Sequence, residues 1–334
     1  MYDHYSILKE ACSSTAGFLA TIIKVEGSSY QKEGTSMVIN HDGKRVGLLS
    51  GGCLETDLVE RIKQLDTKTT SFFTIYDMRS EDDLTWGQGV GCNGSIHVLV
   101  EKLTAELKNL FNNLLAKIDQ GRVVKLVREI SLDASYVNYH FSIENEMDNV
   151  DNPTPKTGIN LSISLDSKAT SYDYTQIFQS RPNLYVFGAG PDSIPLVELA
   201  ASAGFNVTVC DWREGYCNKE NFPKAHRLMV GNLYEQVNKL NPKPSDFVVI
   251  MTHHFQKDYE LTTYLLQKKL KYLGILGSLD RSTRLLKGFT VPEWVSFPVG
   301  LQIGAKGPYE IAISILAEII KYKNINEVNQ LVSN

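Results

Sequence analysis

Two short loops in the first half of the chain each set glycines beside a cysteine: Ser50-Gly51-Gly52-Cys53-Leu54-Glu55 and Gly87-Gln88-Gly89-Val90-Gly91-Cys92-Asn93-Gly94. Glycines let the backbone approach a ligand closely and turn N–H groups toward anionic oxygens, and a cysteine beside a helix N-terminus has its thiolate favoured. Cys53 fits that description best, because Leu54, Leu58, Ile62 and Leu65 recur behind it as one face of a predicted helix. Glu55 is either an acid or base or a first-turn carboxylate favoured by the helix dipole. The plainer reading of Cys53 and Cys92 is a pair of small side chains buried in tight turns, the usual fate of a free cysteine.

A second constellation lies in the other half. The stretch Asn183 to Arg213 reads as a strand, a glycine turn, a helix and a second strand. Such a unit presents helix N-terminal N–H groups to a phosphate, while an acid after the second strand accepts from a ribose hydroxyl. Gly188 and Gly190 hold the first two glycine positions, with Ala189 between them; Ser193 replaces the third, and Pro191 suits a first helical turn. Asp211 lies near the acid's spacing, with Arg213 close behind. Thr252-His253-His254 follows the predicted strand Phe247 to Met251, and Gly277-Ser278 ends another, so both fall where open α/β sheets bind ligands. Arg281 and Arg284 stand a helical turn apart behind Ser278, and Gly300 to Pro308 is a glycine-rich approach to the last helix. His254 and Asp258 share a helix face, but adjacent histidines do not chelate readily and no third ligand is evident, so no metal site is expected.

These groups need two scaffolds, and 334 residues at 43% hydrophobic and 22% charged are enough for two cores. Before the first loop, strands Phe18 to Val25, Ser36 to Ile39 and Arg45 to Leu49 form a meander behind a helix over residues 4 to 15. After it come strands Thr70 to Tyr76 and Ser95 to Glu101, a helix from Thr104 to Ile118, and β structure at Arg122 to Arg128 and Tyr136 to Ile143. The polar stretch Glu144 to Arg181 reads as a linker or decorated hairpin. Beyond it, strands at Arg227 to Val230, Phe247 to Met251 and Leu273 to Leu276 alternate with helices Leu233 to Leu240 and Asp258 to Leu270; the last helix starts near Pro308, with Ile311, Ile315, Ile319 and Ile320 inward. The expected class is α/β: a mixed α+β domain over 1–175, then a Rossmann-like domain with a mostly parallel sheet over 181–334.

The net charge of -4 speaks against general nucleic-acid binding, and no apolar run is long enough to span a bilayer. The start lacks the order of a signal peptide, so a cytoplasmic protein is expected. Five scattered cysteines without a CxxC argue against a disulfide framework or structural zinc.

In order and spacing, SGGCLE, GxGCNG, FGAGPDSIPL, VTVCDWR, MTHHFQKD, LGILGS and PVGLQIGAKGPYEIA resemble the XdhC/CoxI family over nearly the whole chain. The resemblance implies a maturation chaperone that binds molybdenum cofactor, a molybdopterin, transiently, supports its sulfuration, and hands it to an apo molybdenum hydroxylase of the xanthine dehydrogenase type. It also implies a homodimer and a cysteine desulfurase as a further partner. Cys53, Cys92 and Glu55 then become candidate contacts to the metal or its sulfur, and Gly188, Gly190 and Asp211 the nucleotide-type crevice. Asn93, Gln302 and Ser193 depart from the expected patterns. Family members are sometimes labelled dehydrogenase subunits, yet this chain lacks iron–sulfur cysteine patterns. The competing function is an NAD-dependent oxidoreductase, with NAD preferred to NADP because Asp211 repels a 2′-phosphate; a plain interaction scaffold is the third.

Overall fold

The computed structural model describes residues 3–51, 53–78, 94–144, 158–160 and 171–324. The chain divides into two compact units, one ending at Ser180 and the other starting at Arg181.

In the first unit, helix α1 (His4–Ser13) is capped by Asp3, whose carboxylate accepts from the Ser6 N–H. Strands β1 (Gly17–Gly27), β2 (Ser36–Asn40) and β3 (Arg45–Gly47) form the meander, followed by α2 (Cys53–Lys63), β4 (Ser71–Asp77), β5 (Gly94–Lys102) and α3 (Ala105–Asp119). The five strands make an antiparallel sheet in the order β3-β2-β1-β5-β4. Alternation along the strands sorts the core. Ala20, Ile22, Met37, Ile39 and Val98 pack with Leu54 and Leu58 of α2, whereas Leu19 and Val38 pack with α1 and α3.

A second antiparallel sheet runs β7-β6-β9-β8, from β6 (Val123–Ser131), β7 (Val137–Glu144), β8 (Gly158–Asn160) and β9 (Ser171–Phe178). Strands β8 and β9 lie inside the polar stretch read as a linker or decorated hairpin and pair antiparallel, which favours the hairpin over the linker. The sequence hid β9 because its inward residues include Gln176, fully buried yet satisfied: its Nε2 donates to the Gly34 carbonyl at 2.8 Å and its oxygen accepts from Arg128 at 2.8 Å. Arg128 is itself buried and pairs with buried Glu101 of β5 at 3.2 Å, which also accepts from the Tyr139 hydroxyl at 2.7 Å. This polar cluster ties the two sheets together where an apolar pattern would be sought.

The second unit is a six-stranded parallel sheet in the order β12-β11-β10-β13-β14-β15, built from β10 (Asn183–Phe187), β11 (Asn206–Asp211), β12 (Arg227–Val230), β13 (Phe247–Ile250), β14 (Tyr272–Ile275) and β15 (Val295–Ser296). Counted from β10 this is the 3-2-1-4-5-6 order of a dinucleotide-type Rossmann fold, with its switch point between β10 and β13. The strands read as continuous apolar runs because both faces are covered. Helices α4 (Ser193–Ser202) and α8 (Gly307–Lys323) pack on Val186, Val209 and Val249. Helices α5 (Leu233–Leu240), α6 (Phe255–Leu265) and α7 (Leu279–Leu285) pack on Phe187, Val248 and Ile275. Ile315 and Ile319 of α8 are buried and Ile311 partly so, but Ile320 is exposed, one step past the buried stripe, and not inward as expected.

Breaking the Glu101–Arg128 pair from one side would leave a buried guanidinium without its carboxylate. Glu101→Ala should therefore destabilise the protein by about 3–5 kcal/mol in a urea titration. A loss below about 1 kcal/mol would show that Gln176 and the tyrosines suffice.

Candidate functional site

The turn after β10 is shaped by one close approach. Gly188 has φ of 118°, its N–H donates to the Cys210 carbonyl at 2.8 Å, and a Cβ there would run into the Met251 carbonyl at the end of β13. Only glycine lets the two switch-point strands end so near each other. The Ser193 hydroxyl and N–H both donate to the Gly190 carbonyl, at 2.7 and 3.0 Å, closing the turn into α4. Ser193 thus replaces the third fingerprint glycine with a buried hydrogen bond.

Asp211, at the end of β11, is fully buried, and its carboxylate accepts from the Ala189 N–H at 2.7 Å, the Arg213 N–H at 2.8 Å, and the Arg213 guanidinium at 2.9 and 2.8 Å. Burial pushes its pKa up, but the Arg213 and Ala189 hydrogen bonds outweigh it and hold the group below the usual carboxylate range. The oxygens expected to receive a ribose hydroxyl are engaged by the protein's own turn. Arg213 stacks between Trp212 and Tyr216, 4.5 and 4.4 Å from their ring centres.

Beyond β13, Thr252 is buried and its hydroxyl bonds the Asp258 carboxylate, which also takes Arg281 at 2.6 Å. His254 caps α6, its Nδ1 accepting from the Lys257 N–H at 3.4 Å. Asp258 and His254 therefore serve the loop and helix, and among the described residues no group of three His, Cys, Asp or Glu could hold a metal. His253 has a left-handed φ of 59°, rare for a residue with a Cβ, and its Nε2 meets Asp192 Oδ2 at 2.7 Å. Gly277, at φ 149°, leaves room for Arg281 to fold back onto the Leu276 carbonyl, while Ser278 caps α7.

The same edge carries two cations without a carboxylate partner among the described residues: Lys257, 4.6 Å from the Trp212 ring, and Arg284, 5.3 Å from Phe255. In the last approach loop the Gly300 N–H donates to the Glu318 carboxylate at 2.8 Å, which also accepts from the Tyr272 and Ser296 hydroxyls. Gly188, Ala189, Gly190, Pro191, Asp211, Arg213, Thr252, His253, Gly277 and Ser278 all sit at the carboxyl ends of the parallel strands. Asp192, Trp212 and Lys257 were not among the expected contacts. The aromatic beside Asp211 and the lysine one turn into α6 were the only signals in the sequence.

In the first unit, Glu55 is buried in the first turn of α2 and its carboxylate accepts from the Leu49 N–H at 3.0 Å, the Ser50 N–H at 2.6 Å and the Ser50 hydroxyl at 2.9 Å. It holds the loop that leads to Cys53, the first residue of α2. Cys92 and the loop Gly87 to Asn93 lie outside the described residues. Burial pushes the thiols of Cys12, Cys210 and Cys217 upward, which disfavours their thiolates.

Strand order and the glycine turn make the second unit a Rossmann domain. The family model described as "XdhC Rossmann domain" matches residues 184–319, and that of the "XdhC and CoxI family" matches residues 13–76. The chain belongs to the XdhC/CoxI family. It is 42% identical over 307 residues to a Bacillus subtilis protein named as a probable xanthine dehydrogenase subunit, covering 91% of this chain and 92% of that one. It is 22% identical to the Escherichia coli "Molybdenum cofactor insertion chaperone PaoD", over 95% and 88% of the two chains. A crystal structure from Bacillus halodurans described as a xanthine dehydrogenase superposes with a TM-score of 0.82 at 38% identity, covering 96% of each chain.

Asp211 gives a pH test. Its depressed pKa contributes stability that is fully present above the unfolded carboxylate value and is lost as pH falls through the lower folded value. Asp211→Asn should melt below wild type at pH 7, by about 2 kcal/mol, and the gap should narrow as the pH drops below about 4. A gap that is constant with pH would remove the charged role.

Proposed function

We propose that this protein is a maturation factor that takes molybdenum cofactor as cargo, supports its sulfuration, and delivers it to a molybdenum hydroxylase of the xanthine dehydrogenase type. The observation that carries this reading is the likeness, over 95% of the chain, to a protein named for inserting that cofactor. The relative named for a dehydrogenase fits the same reading, since the sequence's five cysteines carry no iron–sulfur spacing.

The donor sets suit such a cargo. Molybdopterin carries an anionic phosphate, and Lys257 and Arg284 at the Rossmann edge supply cations that no described carboxylate neutralises. Trp212, with Lys257 and Arg213 against it, adds an aromatic side chain to the same edge. Cys53, the first residue of α2, is the candidate sulfur contact, and Glu55 positions its loop. Cys92 is the second candidate. A cysteine desulfurase as sulfur source, a homodimer and a cytoplasmic setting belong to the same reading.

Protein purified from cells that make molybdenum cofactor should carry a pterin, detected by fluorescence after oxidation. Cys53→Ala should lower activation of the hydroxylase by at least about ten-fold while leaving the protein folded, as expected for loss of a sulfur contact. Absence of pterin together with full activation by Cys53→Ala would sink the proposal.

A further inference from the structure

The glycine turn after β10 carries a side chain that a dinucleotide site does not tolerate. At the second glycine of a dinucleotide fingerprint, a side chain is excluded because the backbone there must approach the pyrophosphate. In this chain that glycine is Gly190, and the position its Cβ would take lies 2.5 Å from Asp192 Oδ1. The space that glycine keeps clear for a diphosphate is filled by the protein's own carboxylate.

Asp192 is held there. Its other oxygen, Oδ2, meets His253 Nε2 at 2.7 Å, and His253 reaches it from the far side of the switch point with a left-handed backbone. Asp192 occupies the N-cap position of α4 but makes no side-chain cap bond, so its carboxylate is directed to Gly190 and His253 and not to the helix. A diphosphate entering here would meet a like charge at contact distance, a juxtaposition that costs several-fold to many-fold in affinity.

We infer that Asp192, held by His253, is a specificity-determining residue that closes this Rossmann crevice to dinucleotides and other diphosphates. The inference rests on the reading of this edge as the binding crevice, and it narrows the guest to ligands that do not place a diphosphate against Gly190. Asp211 works in the same direction, since its oxygens are occupied by Ala189 and Arg213 and do not face a ribose.

The test is equilibrium titration of the full chain with NAD(H), ADP and inorganic pyrophosphate. Wild type should bind none of them more tightly than about 1 mM. Asp192→Ala should bind pyrophosphate and ADP at least about ten-fold more tightly than wild type, and Asp192→Asn, which keeps the shape without the charge, should also gain. Thermal melting of both variants identifies a folding failure, and the Asn variant guards against it in the Ala one. Wild-type binding of NAD(H) or ADP in the micromolar range would overturn the inference, as would folded variants of both kinds that gain nothing. Either result leaves the pterin measurement untouched, so the two readings fail separately.

Discussion

The carboxylate of Asp211 is the point on which the ligand edge of the Rossmann unit depends. It sits at the end of β11 without solvent, and its four hydrogen bonds join the glycine turn after β10 to the Arg213 backbone and side chain. A buried charge is stable only when paired and fully bonded, and this one is both. Through Arg213 it also sets the cation between Trp212 and Tyr216, so one ionised group fixes a turn, an arginine and the aromatic wall beside them.

The turn itself is a matter of space. Gly188 lets β10 and β13 end against each other, and that closeness brings His253 within reach of Asp192. The same architecture that elsewhere receives a dinucleotide here has its diphosphate position taken by a carboxylate and its ribose acceptor engaged internally. Fold and glycine pattern alone therefore point to one class of guest while the side chains point away from it.

The first unit shows a comparable use of polar groups inside. Arg128, Glu101, Gln176 and Tyr139 form a bonded cluster between two antiparallel sheets, and Glu55 gathers the loop ahead of Cys53. Both are costly if incomplete, and in both every named carboxylate oxygen has a donor. The loop bearing Cys53 is thus held by a side chain two residues away along the same helix turn.

By itself the sequence determined the alternation of apolar strands and amphipathic helices in the second half, hence a parallel sheet, because a strand covered on both faces must be apolar throughout. It determined the meander ahead of Cys53 through three short strand-forming runs close together in the chain. It also carried the family, since ordered motifs survive where single residues vary. It did not reveal β9, because buried polar residues such as Gln176 pass for a linker until their partners, distant in sequence, are seen. Nor could it tell whether Asp211, Glu55 and Asp192 faced a ligand or the protein. That was decided by hydrogen bonds such as Asp211 to Ala189, Glu55 to Leu49 and Asp192 to His253, whose geometry exists only once the strands have been brought side by side.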